Sequence, residues 1–339
     1  MTLASMARKY EARRVPRGEK VATSAMIASL AAEGYDTVAA PFGHALTALA
    51  RKDDRIVGLS ADLSKYTDLH VFAQAMPDRF YQMGMAEQLL MSAAAGMARE
   101  GFIPFATTYA VFASRRAYDF IAMAIAEENL PVKIVCALPG LTTGYGPSHQ
   151  ATEDLAIFRG LPNMTIIDPC DADDVAGMVP EIAAHPGPVY ARLLRGKVPS
   201  VISRHKPGYR FRLGQAQMIR EGGDVLIVST GLMTMRALDA ADKVEVAVLH
   251  VPTIKPLDTA TILAEAARGG RLVVTAENHT LNGGLGEAVA REMLLADITP
   301  RFRMIGLPDE FLEAGALPTL HEIYGLSVDR VAGQIRDWL

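Results

Sequence analysis

Residues 81–105 read YQMGMAEQLLMSAAAGMAREGFIPF, and the fold assignment starts from this stretch. The segment MAEQLLMSAAAGMARE predicts a helix ended by the glycine that follows it, and FIPFATT has the composition of a buried strand. Glu87 lies at the start of the helix, where a carboxylate can complement the helix dipole. Its neighbours are apolar: Met83, Met85, Leu89 and Leu90. They predict a buried helix start, so we expect Glu87 to be protonated or hydrogen-bonded.

The same alternation of strand-length and helix-length segments runs through most of the chain. Buried-strand composition is found in RIVGLSAD, VKIVCAL, MTIIDP and PVYARLL, and later in DVLIVST, VEVAVLHV, RLVVTAEN and FRMIGL. The segments between them, such as FASRRAYDFIAMAIAEE and DADDVAGMVPEIAAH, have the length and composition of helices. This order is typical of parallel strands joined by crossover helices. We therefore predict an α/β fold with two parallel-sheet domains.

The boundaries of the two domains follow from composition. The polar, basic segment SVISRHKPGYRFRLG contains Pro and Gly and predicts a linker, which we place at 201–214. The first α/β domain is then 41–200 and the second is 215–339. Residues 1–40 read as an N-terminal extension, because the helix-like KVATSAMIASLAAEG is too short to form a domain.

Composition excludes several classes of protein. The 339 residues carry a formal net charge of −4 with no basic block, which argues against nucleic acid as the main partner. Cys136 and Cys170 are the only two cysteines, so a disulfide framework is not expected. No apolar run reaches the roughly 18 residues of a membrane span, and the N-terminal residues lack the apolar centre of a signal peptide. We expect a cytoplasmic protein.

Several motifs together resemble one enzyme family. MGMAEQLLMSAAAGMAREGFIPFATTYAVFASRRAYDFI, GPSHQATEDLAIFRGLPNMTIIDPCDADD and PVYARLLRG resemble the pyrimidine-binding domain of transketolase and its thiamine-diphosphate relatives. GDVLIVSTGLMT, TIKPLD and TAENHTLNGGLGEAV resemble the C-terminal domain of the same family. The resemblance extends from about residue 41 to the end and implies a pyrimidine-binding fold followed by a transketolase C-terminal domain.

The resemblance assigns a cofactor-binding role to four residues around the first motif. Glu87 matches the glutamate that hydrogen-bonds the aminopyrimidine nitrogen of thiamine diphosphate, which makes it a catalytic residue. Phe112 matches the aromatic residue that stacks on the same ring, and Tyr109 shares that wall. Met85 is assigned to the cofactor site as well. The simpler interpretation of the two aromatic residues is that they belong to the core.

Four more residues receive roles from the resemblance. Asp62, in LSADL, matches an acid close to the cofactor, although an acid at a strand end is often only a helix cap. His149, in GPSHQ, matches a catalytic histidine that contacts the substrate, and imidazole can move protons near neutral pH. Arg195, in ARLLRG, matches an arginine that binds the substrate phosphate; a surface ion pair is the alternative. Tyr145 is assigned to substrate binding.

The resemblance also implies a partner. Complete transketolases hold the diphosphate and Mg²⁺ with a GDG motif in an N-terminal domain, and GDG does not occur in this sequence. We therefore expect a split transketolase, in which an N-terminal-half subunit supplies the diphosphate-binding domain. The expected assembly is a heterotetramer with two copies of each chain, in which this chain also meets its own copy, and no metal ligands are assigned here.

Three departures from the family bear on the substrate. TTGYGPSHQ has Tyr145 where relatives usually have GEDG, CALPGL has Leu138 or a neighbour where many have a histidine, and TVAAPFG lacks an arginine. These departures favour an unusual ketose phosphate, such as apulose 4-phosphate, as donor of the two-carbon ketol unit. Two alternatives remain: the β subunit of a 2-oxo acid dehydrogenase-like complex, and a non-catalytic assembly partner.

Overall fold

The structure is a computed structural model that describes residues 34–339. The predicted helix in KVATSAMIASLAAEG and residues 1–33 of the predicted extension lie outside this range. In chain order the strands are β1 (Thr37–Ala39), β2 (Ile56–Ser60), β3 (Phe80–Gln82), β4 (Ile103–Tyr109), β5 (Lys133–Ala137), β6 (Thr165–Ile167), β7 (Val189–Leu193), β8 (Lys197–Pro199), β9 (Gln217–Arg220), β10 (Val225–Ser229), β11 (Ala247–His250), β12 (Thr253–Lys255), β13 (Leu272–Thr280) and β14 (Arg301–Leu307).

The α-helices of the same residues are α1 (Pro41–Ala50), α2 (His70–Ala75), α3 (Glu87–Arg99), α4 (Ala110–Arg116), α5 (Tyr118–Ile121), α6 (Asp154–Arg159), α7 (Ala172–Ala184), α8 (Ile202–His205), α9 (Leu232–Ala240), α10 (Thr259–Ala266), α11 (Leu285–Leu295), α12 (Leu317–Ile323) and α13 (Val328–Trp338). A π-helical turn at Ala122–Ala126 continues α5, and short 3₁₀ turns lie at Ser64–Thr67 and Pro77–Arg79. Every segment that the sequence singled out as a strand or as the helix before FIPFATT forms that element.

The first domain is built on a seven-stranded sheet in the order β12-β6-β7-β5-β4-β2-β3. All neighbouring strands are parallel except the pair of β12 with β6. The central strands are entirely buried because helices cover both faces, as their continuous apolar runs predict. The edge strand β12 comes from the second half of the chain, which the sequence did not indicate.

The second domain is built on a five-stranded sheet in the order β14-β13-β10-β11-β9, with only β9 antiparallel to its neighbour. The predicted fold class, two parallel-sheet α/β domains, is thus confirmed. The predicted single helix in FASRRAYDFIAMAIAEE is wrong. It breaks between α4 and α5 at Ala117, whose backbone leaves the helical region (φ −109°, ψ 7°), and then widens into the π-helical turn.

Helix α3 corrects the predicted burial around Glu87. One face of α3 is buried against the sheet and consists of Glu87, Leu90, Met91, Ala94, Ala95 and Ala98. Met85 and Leu89 were predicted to be buried with this face, but they are 81% and 55% exposed. The reason is geometric: Met85 precedes the helix, and Leu89 lies on the side of α3 that cannot face the sheet of its own chain.

The segment predicted to be a linker is packed. It contains α8, and the side chains of Ile202 and Phe211 are buried in two different core clusters. Strand β1, in the predicted extension, pairs with β8 in a separate two-stranded sheet. The division at residues 41, 201 and 215 remains a prediction.

Within residues 34–339, no helix is both long and apolar enough to cross a membrane.

Candidate active site

The candidate residues follow the carboxyl ends of five parallel strands of the first sheet. Asp62 follows β2, Met85 and Glu87 follow β3, Tyr109 ends β4 with Phe112 just beyond it, Tyr145 and His149 follow β5, and Arg195 follows β7. Parallel strands present these ends at one edge of the sheet, where ligands of α/β proteins usually bind. The fold therefore places all eight residues at the same edge.

Glu87 is buried at the start of α3 and faces one cation. The residue is 2% exposed, and Nη1 of Arg116 lies 3.6 Å from its Oε1. The same guanidinium lies over the ring of Phe112, with the central carbon 4.0 Å from the ring centroid. Arg116 ends α4, one helical turn after Phe112, so its side chain can reach both groups. A flat, nitrogen-rich group thus fits against both the carboxylate and the aromatic face.

Four aromatic rings form a continuous wall beside this pair. Phe112 lies 5.6 Å from Tyr109 and 5.4 Å from His149, measured between ring centroids. His149 also lies 6.2 Å from Tyr109 and 5.2 Å from Tyr145. These distances are those of ordinary aromatic contacts. The structure therefore brings Glu87, Phe112, Tyr109, His149 and Tyr145 into one cluster.

The imidazole of His149 is tuned by this environment. Partial burial, and then the positive charge of Arg116, lower the pKa of His149 from its ordinary value. The ring is therefore neutral near pH 7, with one nitrogen free to accept a proton. Nδ1 lies 2.9 Å from Oγ of Ser148. His149 can consequently exchange a proton through Nε2 with a hydroxyl group placed beside it.

The loop that carries Tyr145 and His149 is held from two sides. Arg115 on α4 donates to the carbonyl oxygens of Pro147 (2.8 Å) and Gln150 (3.3 Å) and pairs with Glu153. On the other side Gln150 Nε2 donates to the carbonyl oxygen of Glu313 in the second domain (3.1 Å). Sequence reasoning assigned no role to Arg115. Its contacts show that it fixes the loop next to Phe112.

Arg195 lies at the same sheet edge, and part of its guanidinium has no hydrogen-bond acceptor among the described residues. Its guanidinium carbon is 5.6 Å from the ring centroid of Tyr66. Among the described residues its buried Nε and Nη2 atoms have no hydrogen-bond partner. The next residue, Gly196, donates its backbone N–H to both carboxylate oxygens of Asp68 (3.1 and 2.9 Å). Burial raises the pKa of Tyr109, and the charge of Arg195 partly offsets this, so the two groups lie within electrostatic range.

Besides Arg195, two predicted site residues lie outside the aromatic cluster. Asp62 is exposed, adopts a left-handed conformation (φ 59°) and exchanges hydrogen bonds with Gln82: its N–H donates to Oε1 (2.7 Å) and its Oδ1 accepts from Nε2 (3.2 Å). It therefore joins the turn after β2 to the end of β3 and does not cap a helix. Met85 is largely exposed to solvent.

A buried polar network below the site was missed by sequence reasoning. Arg192 on β7 is fully buried and pairs with Asp154 at the start of α6, with its Nε 2.9 Å from Oδ2. It also approaches Asp168 (3.3 Å) and donates to the carbonyl oxygen of Asn278 in the second domain (3.1 Å). Tyr190 donates to Asp154 as well (2.5 Å). The network joins the two sheets. In the sequence, the only sign of it is that charged residues occur within apolar strand segments.

The sequence ENH in β13 belongs to this junction between the domains. Asn278 Oδ1 accepts from the N–H of Leu141, at the base of the loop before Tyr145 (2.9 Å). Gly140 faces Asn278 so closely, with φ +56°, that a Cβ there would lie 2.1 Å from the carbonyl oxygen. Glycine is therefore required where the site loop crosses onto the second domain.

Within residues 34–339, no group of three or more His, Cys, Asp or Glu side chains is arranged to hold a metal ion.

Comparisons with known proteins point to one family. The family model described as transketolase, pyrimidine binding domain, matches residues 36–200, and that described as transketolase, C-terminal domain, matches residues 214–331. The chain is 69% identical over 326 residues to a transketolase family protein of Sinorhizobium fredii, covering 94% of both chains. It is 41% identical over 288 residues to a 6-deoxy-6-sulfo-D-fructose transketolase subunit of a Clostridium species, covering 83% of this chain and 88% of the other.

A solved structure is similar along most of its length. It is a split-gene transketolase in the form of an inactive β4 tetramer, with a TM-score of 0.79 and 40% identity. The similarity covers 88% of this chain and 96% of the other.

Proposed function

The chain belongs to the transketolase family, and from this premise we propose that it is one subunit of a split, thiamine-diphosphate-dependent transketolase. The observation that carries the proposal is the arrangement of Glu87 and Phe112. One planar guanidinium, that of Arg116, contacts both the buried carboxylate of Glu87 and the ring of Phe112. The proposed reaction moves a two-carbon ketol unit from a ketose phosphate to an aldose phosphate.

The residues present fit the aminopyrimidine of the cofactor. When bound, thiamine diphosphate supplies the nucleophilic carbon that carries the ketol unit. Glu87 would hold a proton at the pyrimidine nitrogen, because its carboxylate is shielded from water. Phe112 would stack on the ring, with Tyr109 behind it. Of the other two proposed cofactor contacts, Asp62 lies at the same sheet edge, whereas Met85 would reach the cofactor only from its exposed position just before α3.

Substrate contacts are proposed for three residues on the other side of the wall. His149 is neutral and half-buried, so it can orient a sugar hydroxyl and exchange its proton. Tyr145, 37% exposed beside His149, would shape the donor end of the site. The unpaired guanidinium nitrogens of Arg195 support binding of a terminal anion, because buried N–H groups without partners are costly unless a ligand satisfies them.

An apolar surface supports the proposed assembly. Met85 just before α3 and Leu89 on α3 are exposed, as are Phe120 on α5 and Met123 on the π-helical turn. Apolar side chains of this size, exposed together, are typical of subunit interfaces. We propose that this side meets an N-terminal-half subunit that holds the diphosphate and Mg²⁺, within an α2β2 assembly. The similar split-gene protein, described as inactive in its β4 form, supports the need for a second kind of chain.

The test is reconstitution with the candidate partner, encoded by a neighbouring reading frame or recovered with this chain by pull-down. The complex should transfer ketol units from ketose phosphates to aldose phosphates only when thiamine diphosphate and Mg²⁺ are present. Oxidation of a 2-oxo acid with an electron acceptor, without ketol transfer, would instead identify a dehydrogenase-like β subunit. If the chain shows neither activity with any partner, the remaining hypothesis is that it is a non-catalytic assembly partner.

The isolated chain is expected to bind thiamine diphosphate weakly or not at all. The sequence lacks the GDG motif that holds the diphosphate and Mg²⁺ in complete transketolases, so the pyrimidine contacts would have to hold the cofactor without it. Isothermal titration calorimetry of the chain, with and without the partner, measures this. Micromolar binding by the chain alone would contradict the split arrangement.

Tyr145→Phe is expected to change the preference between donors more than it changes stability. Tyr145 is 37% exposed beside His149, so we expect its hydroxyl to reach a bound donor. A site that pairs with one hydroxyl discriminates strongly against sugars that lack it. We also expect xylulose 5-phosphate to be a poor donor. The measurement is kcat/KM for linear and branched ketose phosphates and for 6-deoxy-6-sulfofructose.

A matched control for this substitution is Tyr118→Phe. Tyr118 lies outside the site and packs against Phe158, with ring centroids 6.1 Å apart. Removing its hydroxyl should therefore leave the ratios of kcat/KM between donors unchanged. The role proposed for Tyr145 is contradicted if linear ketose phosphates are the best donors and the two variants give the same ratios of kcat/KM between donors.

A further inference from the structure

Arg116 is in contact with the two groups that the proposed function assigns to the aminopyrimidine. Its Nη1 is 3.6 Å from Glu87 Oε1, and its guanidinium carbon is 4.0 Å from the centroid of Phe112. The Arg116 side chain is itself 52% exposed, while that of Glu87 is nearly inaccessible. A half-exposed cation is therefore placed over the entrance to a buried carboxylate.

The guanidinium meets the same chemical demands as the cofactor ring. It is planar, so it lies against the face of Phe112, and it presents N–H groups toward the carboxylate of Glu87. A buried carboxylate without any counter-charge is destabilising, and Arg116 provides that charge when nothing else is bound. A flat ring cannot occupy the same face of Phe112 while the guanidinium remains there.

We propose that Arg116 is a placeholder for the cofactor: it fills the pyrimidine subsite of the free chain and is displaced when the cofactor binds. The inference rests on the proposed function. It adds that a side chain of the protein itself competes with the cofactor for the pyrimidine subsite. Displacing Arg116 should cost little free energy, because its side chain is long, flexible and already half-exposed to water. The pairing keeps Glu87 and Phe112 in position before the cofactor arrives, and the cofactor must overcome it.

The experiment compares cofactor affinity among variants of the reconstituted complex by isothermal titration calorimetry at saturating Mg²⁺. Arg116→Gln keeps a polar side chain but loses the charge and should bind thiamine diphosphate about fivefold more tightly, because the competing ion pair and cation–π contact are each weak. Arg116→Lys keeps the charge without the planar group and should give an intermediate affinity. Arg99→Gln is the control: Arg99 is also exposed and paired with a carboxylate, Glu128, at the far end of α3, and its loss should change nothing.

A second readout separates a placeholder from a purely structural residue. Arg116→Gln should lower the thermal midpoint of the complex without cofactor and leave the midpoint at saturating cofactor unchanged, because the contact exists only in the free state. An Arg116→Gln complex that binds the cofactor as the wild type does, or more weakly, overturns the inference while the proposed function stands. A wild-type complex that does not bind thiamine diphosphate overturns the proposed function, and the inference with it.

Discussion

Glu87→Gln is expected to lower the ketol-transfer activity of the reconstituted complex by about 10²-fold or more, the usual scale for loss of an acid–base group. Glutamine has almost the same size and fits the buried start of α3, but it cannot hold and release a proton. The weak contact with Arg116 at 3.6 Å is the main interaction that the variant loses in the free chain. The thermal midpoint should therefore change little while kcat falls.

The matched control is Glu128→Gln, which removes a carboxylate paired with Arg99 near the surface. It should retain full activity, because its side chain does not contact the site cluster. Activity of the Glu87→Gln complex close to that of the wild type would show that Glu87 merely complements the dipole of α3, the simpler interpretation of the sequence.

Asp154→Asn is expected to destabilise the chain by about 3–5 kcal/mol, the usual cost of removing one partner from a buried ion pair. Asp154 is the closest carboxylate to the buried guanidinium of Arg192 and also accepts from Tyr190. Burial alone would raise the pKa of Asp154, but Arg192 holds it below its ordinary value. The stabilisation is thus present at neutral pH and is lost only as the pH falls below about 4.

The measurement is the free energy of unfolding from urea denaturation, monitored by circular dichroism. Asp329→Asn is the control, because Asp329 also pairs with a cation, Lys243, but on the surface, where such pairs contribute little to stability. A loss below about 1 kcal/mol in Asp154→Asn would show that Asp168 and the carbonyl oxygen of Asn278 suffice to hold Arg192.

Local sequence patterns predicted most of the fold. Runs of β-branched residues marked the central strands of both sheets, and Gly101, with φ 89°, ended α3 as expected. The alternation of elements implied parallel sheets, and parallel strands place the residues after their carboxyl ends together. Glu87, Phe112 and His149 therefore share one edge of the sheet.

What the sequence did not predict depends on contacts between distant parts of the chain. Arg116 follows Phe112 on a short helix, but its position over Glu87 depends on how α3 and α4 pack. The exposure of Met85 and Leu89 could not be predicted either, because the sequence of one chain does not distinguish a helix face buried by its own sheet from one left for another subunit.

Strand β12 limits how this chain could be recombined with its relatives. It lies beyond the segment 201–214 in sequence, yet it is the edge strand of the first sheet, and Lys255 at its end donates from Nζ to the carbonyl oxygens of Arg159 and Leu161 (3.0 and 2.5 Å). A chimera joined within 201–214 would pair one parent's β6 with the other parent's β12. A bare β6 would be an open edge prone to pairing between molecules. The two domains have separate sheets, but a functional exchange would have to carry β6 and β12 together.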